Sequence, residues 1–206
     1  MEDYVNRIFK REESYYSNEP LNIKFKYERN IFFLVRVRQL IPKMLRTRKH
    51  NYKLVLNLLK WFNRDFEKKK KFDSIKSYDN IGFFKLFKIF EEYNLNCRLI
   101  TYIFTILLIS LGFRARFISC IPFVNNKSNR HCVCEVYINK FNKWVLIDPS
   151  LNLIYFNVRG SPLNLLELQY NILNDIPVRC FLKYDDYDYI IKLWKECIFR
   201  FEYLII

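Results

Sequence analysis

The spacing of apolar positions changes along the chain, and the changes mark out its elements. In "NYKLVLNLLKWFNRDF", residues 51–66, Leu54, Leu58, Trp61 and Phe62 share one helical stripe, which predicts an amphipathic helix. "IGFFKLFKIFEEYN", residues 81–94, repeats the pattern with Phe83, Phe84, Phe87 and Phe90, a stripe that reads as core packing. "IFFLVRVRQLI" (31–41) is apolar and fits strand or helix ahead of Pro42. Asn96 suits an N-cap for an apolar helix from Cys97 to Leu111, and Gly112 suits its end. From "RARFISCIPF" onward the period is two, which predicts strands at 115–121, 131–138 and 143–148. After Asp148-Pro149-Ser150 come "IYFNV", a turn at Arg159-Gly160, and a helix in "PLNLLELQYNIL" with Pro162 at its start. Residues 178–206 read as a closing amphipathic helix or strand and helix, Lys68 to Lys71 as a loop or helix end, and residues 1–28 have weak periodicity. No repeat or interdomain linker intervenes. The 206 residues read as one domain: a mainly helical part over 1–94, a core over 95–172 and a closure over 173–206.

Composition removes several function classes. Three glycines (Gly82, Gly112 and Gly160) are too few for Rossmann or Walker phosphate loops. The apolar run from Leu99 to Leu111 is 13 residues long, short of the ~20 a transmembrane helix needs. The first residues lack an apolar signal core, which predicts a cytoplasmic protein whose six cysteines are thiols. The net charge is +14, concentrated between Arg36 and Lys76. Such a field would attract nucleic acid through the basic N-terminal half, or an anionic membrane or acidic protein. No RNA-binding signature, zinc-finger spacing or stacking platform accompanies it, so a solvated helical face is the simpler reading. His50, in "RTRKHNYK", reads as a surface residue.

The chemistry concentrates in "NRHCVCEVYINKFNKWVLIDPS", residues 129–150. On a strand His131, Val133, Glu135 and Tyr137 share one face, while Cys132, Cys134, Val136 and Ile138 share the other. The histidine therefore diverges from the cysteines, which argues against a metal site, and Cys132 and Cys134 read as buried packing thiols. A four-residue turn, Asn139 to Asn142, would set Val133 opposite Asp148 and make Asp148 a diagonal neighbour of His131, ~7–8 Å between α-carbons. Glu135, ~13 Å along the same strand, is too far to orient His131. A carboxylate-held histidine serves as a general base for a nucleophile. Cys97 has the matching environment at a helix N-terminus, where free N–H groups favour a thiolate. Cys120, Cys180 and Cys197 lie in apolar surroundings and read as inert.

These blocks resemble the core of the transglutaminase-like superfamily of cysteine enzymes. That core opens a helix with the nucleophilic Cys and ends it at Leu-Gly. It then runs through an Ala-Arg strand, a His-x-x-x-Glu-Val-Tyr strand and a Trp-Val-x-x-Asp-Pro strand. Cys97, Leu111-Gly112, Ala115-Arg116, His131, Glu135-Val136-Tyr137, Trp144-Val145 and Asp148-Pro149 fall in that order. The resemblance covers about residues 54–172, and "SPLNLLELQ" is similar to a segment of small bacterial members. It implies an α+β fold of papain-like layout, with the Cys-bearing helix packed on an antiparallel β-sheet. It also implies Cys97 as nucleophile, His131 as general base and then acid, and Asp148 as the residue fixing the imidazole. Attack on an amide would leave a thioester, resolved by water in a peptidase, amidase or deamidase and by an amine in a transglutaminase. A protein or peptide substrate is expected, with Asn96 and Trp144 as candidate contacts. No cofactor or metal is implied, since acidic calcium loops of animal members are not visible. Three departures stand out: Cys132-Val133 after the histidine, Arg114 before Ala-Arg, and Asn94-Leu95-Asn96 before the nucleophile. They leave any oxyanion donor beyond the Cys97 backbone N–H unassigned. Other expectations are a catalytically silent interaction module and a basic nucleic-acid or membrane-surface binder.

Overall fold

The computed structural model describes residues 31–46, 51–64, 70–71, 82–121, 131–180, 194 and 200–204. The readings made for residues 1–28, His50 and Cys197 lie outside them. Among the described residues four α-helices precede the main sheet. Helix α1, Ile31–Leu40, settles the apolar 31–41 segment as helix and stops just before the pre-proline residue Ile41. Helix α2, Tyr52–Asn63, is capped by Asn51, whose Oδ1 accepts from Leu54 N–H at 2.9 Å. Helix α3, Phe83–Glu92, is shorter than its sequence pattern. Its expected last residues instead form the short strand β2, Tyr93–Asn94, which pairs in parallel with β1, Lys70–Lys71.

Helix α4 runs Cys97–Ser110 and is buried on almost every side, through Ile100, Ile103, Phe104, Ile106 and Leu107 among others. Asn96 caps it as expected, its Oδ1 accepting from Leu99 N–H at 3.1 Å. Its other end closes at Gly112 with φ of 91°. There Gly112 N–H donates to Ile109 O (2.8 Å) and Phe113 N–H to Leu108 O (3.1 Å). That pattern is a Schellman closure and needs a residue at ease in the left-handed region. Among the described residues no helix is long and apolar enough to cross a membrane.

The main sheet has six strands: β3 (Ala115–Ile121), β4 (His131–Ile138), β5 (Lys143–Asp148), β6 (Leu153–Asn157), β7 (Val178–Cys180) and β8 (Arg200–Leu204). Their order is β7-β6-β5-β4-β3-β8, every pairing antiparallel. Strands β4 and β5 pair Ile138 with Lys143 through Cys134 with Ile147, so the four-residue turn and its register are as predicted. Asn142, in the left-handed region at φ of 51°, closes the turn. Helix α5 spans Leu165–Leu173 and starts three residues later than Pro162 suggests. Asn164 and Glu167 form a capping box there, whereas Pro162 is spent on a bridge to Phe156.

Strand alternation sorts the core into two layers. Cys134, Val136, Ile138, Val145, Ile147 and Ile154 pack against α1 to α4. Val133, Leu146, Leu153 and Tyr155 pack on the opposite side with Leu165, Leu168 and Trp194. The result is an α+β fold with the Cys-bearing helix lying on an antiparallel sheet. In the basic segment, several cations are used locally: Arg46 donates to Ile41 O and Gln39 O at 2.6 Å each, and Arg36 lies 4.5 Å from the Phe84 ring centroid.

Candidate active site

Three elements converge at one end of α4. Cys97 is its first residue and is partly exposed, whereas His131 opens β4 and is 6% exposed. Asp148 ends β5 and is fully buried. His131 Nε2 lies 2.5 Å from Asp148 Oδ2, so the diagonal placement read from the turn length brings the two side chains into contact. The other carboxylate oxygen, Oδ1, accepts from Ser150 N–H (3.1 Å), Ser150 Oγ–H (2.8 Å) and Leu151 N–H (3.1 Å). Both oxygens of this buried carboxylate are thus committed, which fixes its plane and, through it, the imidazole. On its other side the His131 ring meets Trp194 edge-on, centroids 6.0 Å apart, and the Trp194 indole N–H donates to Tyr155 Oη at 2.7 Å.

With Nε2 held by Asp148, Nδ1 is the ring nitrogen left for Cys97, and the Cys97 sulfur is hydrogen-bonded to the His131 side chain. The Cys97 pKa is pulled down to about 4. The leading cause is a hydrogen bond from the Cys132 thiol. Partial burial opposes it, and the bond and positive charge of His131 and the Cys132 backbone N–H add to it. Burial pushes His131 down, but the charge and hydrogen bond of Asp148, reinforced by Cys97, carry it up to about 10. Between those values the pair is thiolate and imidazolium. Alkylation of Cys97 by a neutral haloacetamide should therefore persist well below neutrality and fall only as pH drops through about 4. It should rise again near 10, where His131 gives up its proton. Peptide-mapped alkylation rates against pH test this; a profile that begins only in the ordinary thiol range refutes it.

Cys132 requires a correction. Cys134 is a buried packing thiol as expected, beside Thr105. Cys132, also buried, instead touches the Cys97 sulfur with both its thiol and its backbone N–H. Alternation does direct Cys132 to the face opposite His131. At its first residues, however, β4 meets the N-terminal end of α4, and residues of both strand faces act on one sulfur. The arrangement is pinned by Thr101, whose Oγ donates to Cys132 O at 2.8 Å.

The two candidate contacts fare differently. Asn96 stands directly before Cys97 with its Oδ1 used by the cap, leaving its amide N–H groups for other partners. Trp144 lies four residues along β5 from Asp148, ~13 Å by strand rise. It is buried between Tyr137 and the Arg116 guanidinium, 4.2 Å from its ring centroid. It does not line the site. Also missed from the sequence is Glu135, fully buried, which accepts from Arg116 Nε (2.8 Å) and from Leu165 N–H (2.7 Å). Among the described residues no group of three His, Cys, Asp or Glu side chains is placed to hold a metal ion.

The sequence profile of the transglutaminase-like superfamily matches residues 38–149, just over half of the chain. No curated protein sequence matches. Among solved structures the chain is similar to a candidate cysteine protease from Cytophaga hutchinsonii, with a TM-score of 0.40 and 14% identity. That match covers 79% of this chain and 54% of the other, so the chain spans about half the length of that protein.

Proposed function

The chain belongs to the transglutaminase-like superfamily, and from that premise we propose that it is a cysteine acyl-transfer enzyme that hydrolyses amide or peptide bonds. The observation carrying this reading is the unbroken contact from Cys97 through His131 to Asp148. The Cys97 thiolate attacks the amide carbonyl carbon, and the nitrogen leaves with the proton of His131. The backbone N–H of Cys97, in the first turn of α4, would serve the developing oxyanion, with the Asn96 amide as a candidate second donor. Water then attacks the thioester while neutral His131 accepts its proton, releasing the acid and restoring the ion pair. Asp148 holds the ring so that one nitrogen serves both steps. The contact between Cys97 and His131 weighs against a silent interaction module.

The test is acylation by an activated-ester or acyl-probe panel on the full chain, read by intact mass and peptide mapping. The expected result is a single adduct at Cys97 that water discharges over time. Labelling spread over several cysteines, or none at Cys97, would overturn the proposal. A stable adduct discharged only by added amines would reassign the acceptor from water to amine.

A further inference from the structure

The function proposed above uses Cys97 and leaves the thiol beside it unassigned. Cys97 and Cys132 lie 35 positions apart in the sequence, yet their sulfurs share a hydrogen bond. Their exposure differs: Cys97 is partly open, whereas Cys132 is 4% exposed. A small oxidant therefore meets Cys97 first. Cys132 sits on a paired strand, opposite Ser119 on β3, and its carbonyl is held by Thr101, one helical turn after Cys97. The other described thiols are less suited. Cys120, opposite His131 on β3, is near enough to act on Cys132 electrostatically but packs in the other layer, Cys134 lies deeper along α4, and Cys180 is on β7.

We propose that Cys97 and Cys132 form a peroxide-sensitive dithiol that closes reversibly to a disulfide and masks the nucleophile. The Cys97 sulfur attacks a hydroperoxide oxygen, so an S–O bond forms as the O–O bond breaks. The departing oxygen takes the His131 proton and leaves as water, or as an alcohol from an organic hydroperoxide. Cys97 is now a sulfenic acid, oxidised by two electrons, and the peroxide is reduced by two. The Cys132 sulfur then attacks the Cys97 sulfur; the S–S bond forms, the S–O bond breaks, and the hydroxyl leaves as water with the Cys132 proton. Two thiols and one hydrogen peroxide thus become one disulfide and two waters. The second step is prepared by the first. The main influence holding Cys132 protonated is the hydrogen bond to Cys97, and that influence weakens once Cys97 loses its charge. A disulfide here also spares Cys97 from the irreversible sulfinic and sulfonic acids.

The inference rests on the proposed function only in taking Cys97 as an armed thiolate, and its test needs no turnover. The full-length protein is treated with stoichiometric hydrogen peroxide, alkylated and peptide-mapped. The expected product is a Cys97–Cys132 linked pair, lighter by two hydrogens and restored by dithiothreitol. In Cys132→Ser, or in Cys132→Ala if serine impairs folding, Cys97 should stop at the sulfenic acid with one equivalent of peroxide and pass, with the second and third equivalents, to sulfinic and sulfonic acids that dithiothreitol does not reverse. Wild-type Cys97 that overoxidises without the linked pair, or that pairs with another cysteine, overturns the inference whatever the variants do. Acyl labelling without the disulfide would sink this inference alone; a disulfide without acyl labelling would sink the proposed function alone.

Discussion

Replacing His131 by alanine should slow acylation of Cys97 by about a thousandfold or more, the scale of losing a general acid–base from a cysteine or serine centre. The substitution removes a hydrogen bond and a positive charge from the thiolate, so the Cys97 pKa rises from about 4 toward the ordinary thiol range. It also removes the proton that the leaving amine needs. The two losses separate experimentally. A probe with a leaving group that needs no proton should regain much of its rate at alkaline pH, where the thiolate reforms; an amide should not. The measurement is the second-order labelling rate at Cys97 as a function of pH, with circular dichroism to show that the fold persists. Unchanged labelling of Cys97 in His131→Ala would separate the histidine from the nucleophile and end the acyl-transfer reading of this pair.

Glu135→Ala should be the most destabilising substitution in the sheet, costing about 3–5 kcal/mol, the usual cost of removing one partner from a buried charge pair. Fully buried, Glu135 joins three elements: Arg116 on β3 at two guanidinium nitrogens (2.8 and 2.5 Å), its own strand β4, and the first turn of α5 through Leu165 N–H at 2.7 Å. Alanine would leave the guanidinium charge without its buried carboxylate and a helix N–H without its acceptor. For a chain of this size the loss corresponds to a fall in Tm of roughly 10 °C. Glu135→Gln, which keeps an acceptor, should lose less. Thermal denaturation checks the order, and a Tm for Glu135→Ala within a degree or so of the native value would refute it. Cys97 labelling measured well below Tm should stay near the native rate, because Glu135 lies on the sheet face away from α4 and touches none of the three site residues.

Those two residues also show what can be read from sequence. The His131–Asp148 contact was legible because both lie on one hairpin, and a short turn with fixed parity transmits register over a few residues. The Cys97 position was legible for an equally local reason, a cap before it and a Leu-Gly stop after it. Glu135–Arg116 was not, since β3 and β4 are joined by residues 122–130, a connection too long to fix register by itself. Alternation places Glu135 on the face of His131 but does not say what covers that face; α5 does, and both charges are buried. The Cys132 contact was hidden by a rule that held. Alternation correctly separates Cys132 from His131, but it says nothing of where a helix end meets the strand. Trp144 illustrates the converse: a sequence block shared with a family marks a fold position, and here that position packs beneath an arginine.

The hydrogen bond from Thr101 to the Cys132 carbonyl has a mechanical meaning. Thr101 stands four residues after Cys97, so the two share one side of α4 a single turn apart. Locking one residue to the strand sets both the height and the rotational phase of the other. A helix that crept by one residue would advance about 1.5 Å and turn about 100°, losing the Thr101 bond and swinging the sulfur out from between His131 and Cys132. No partial version of that slip keeps the hydroxyl bonded. The spacing of Cys97 and His131 is in this sense quantised: the helix is either in gear with the strand or out of it.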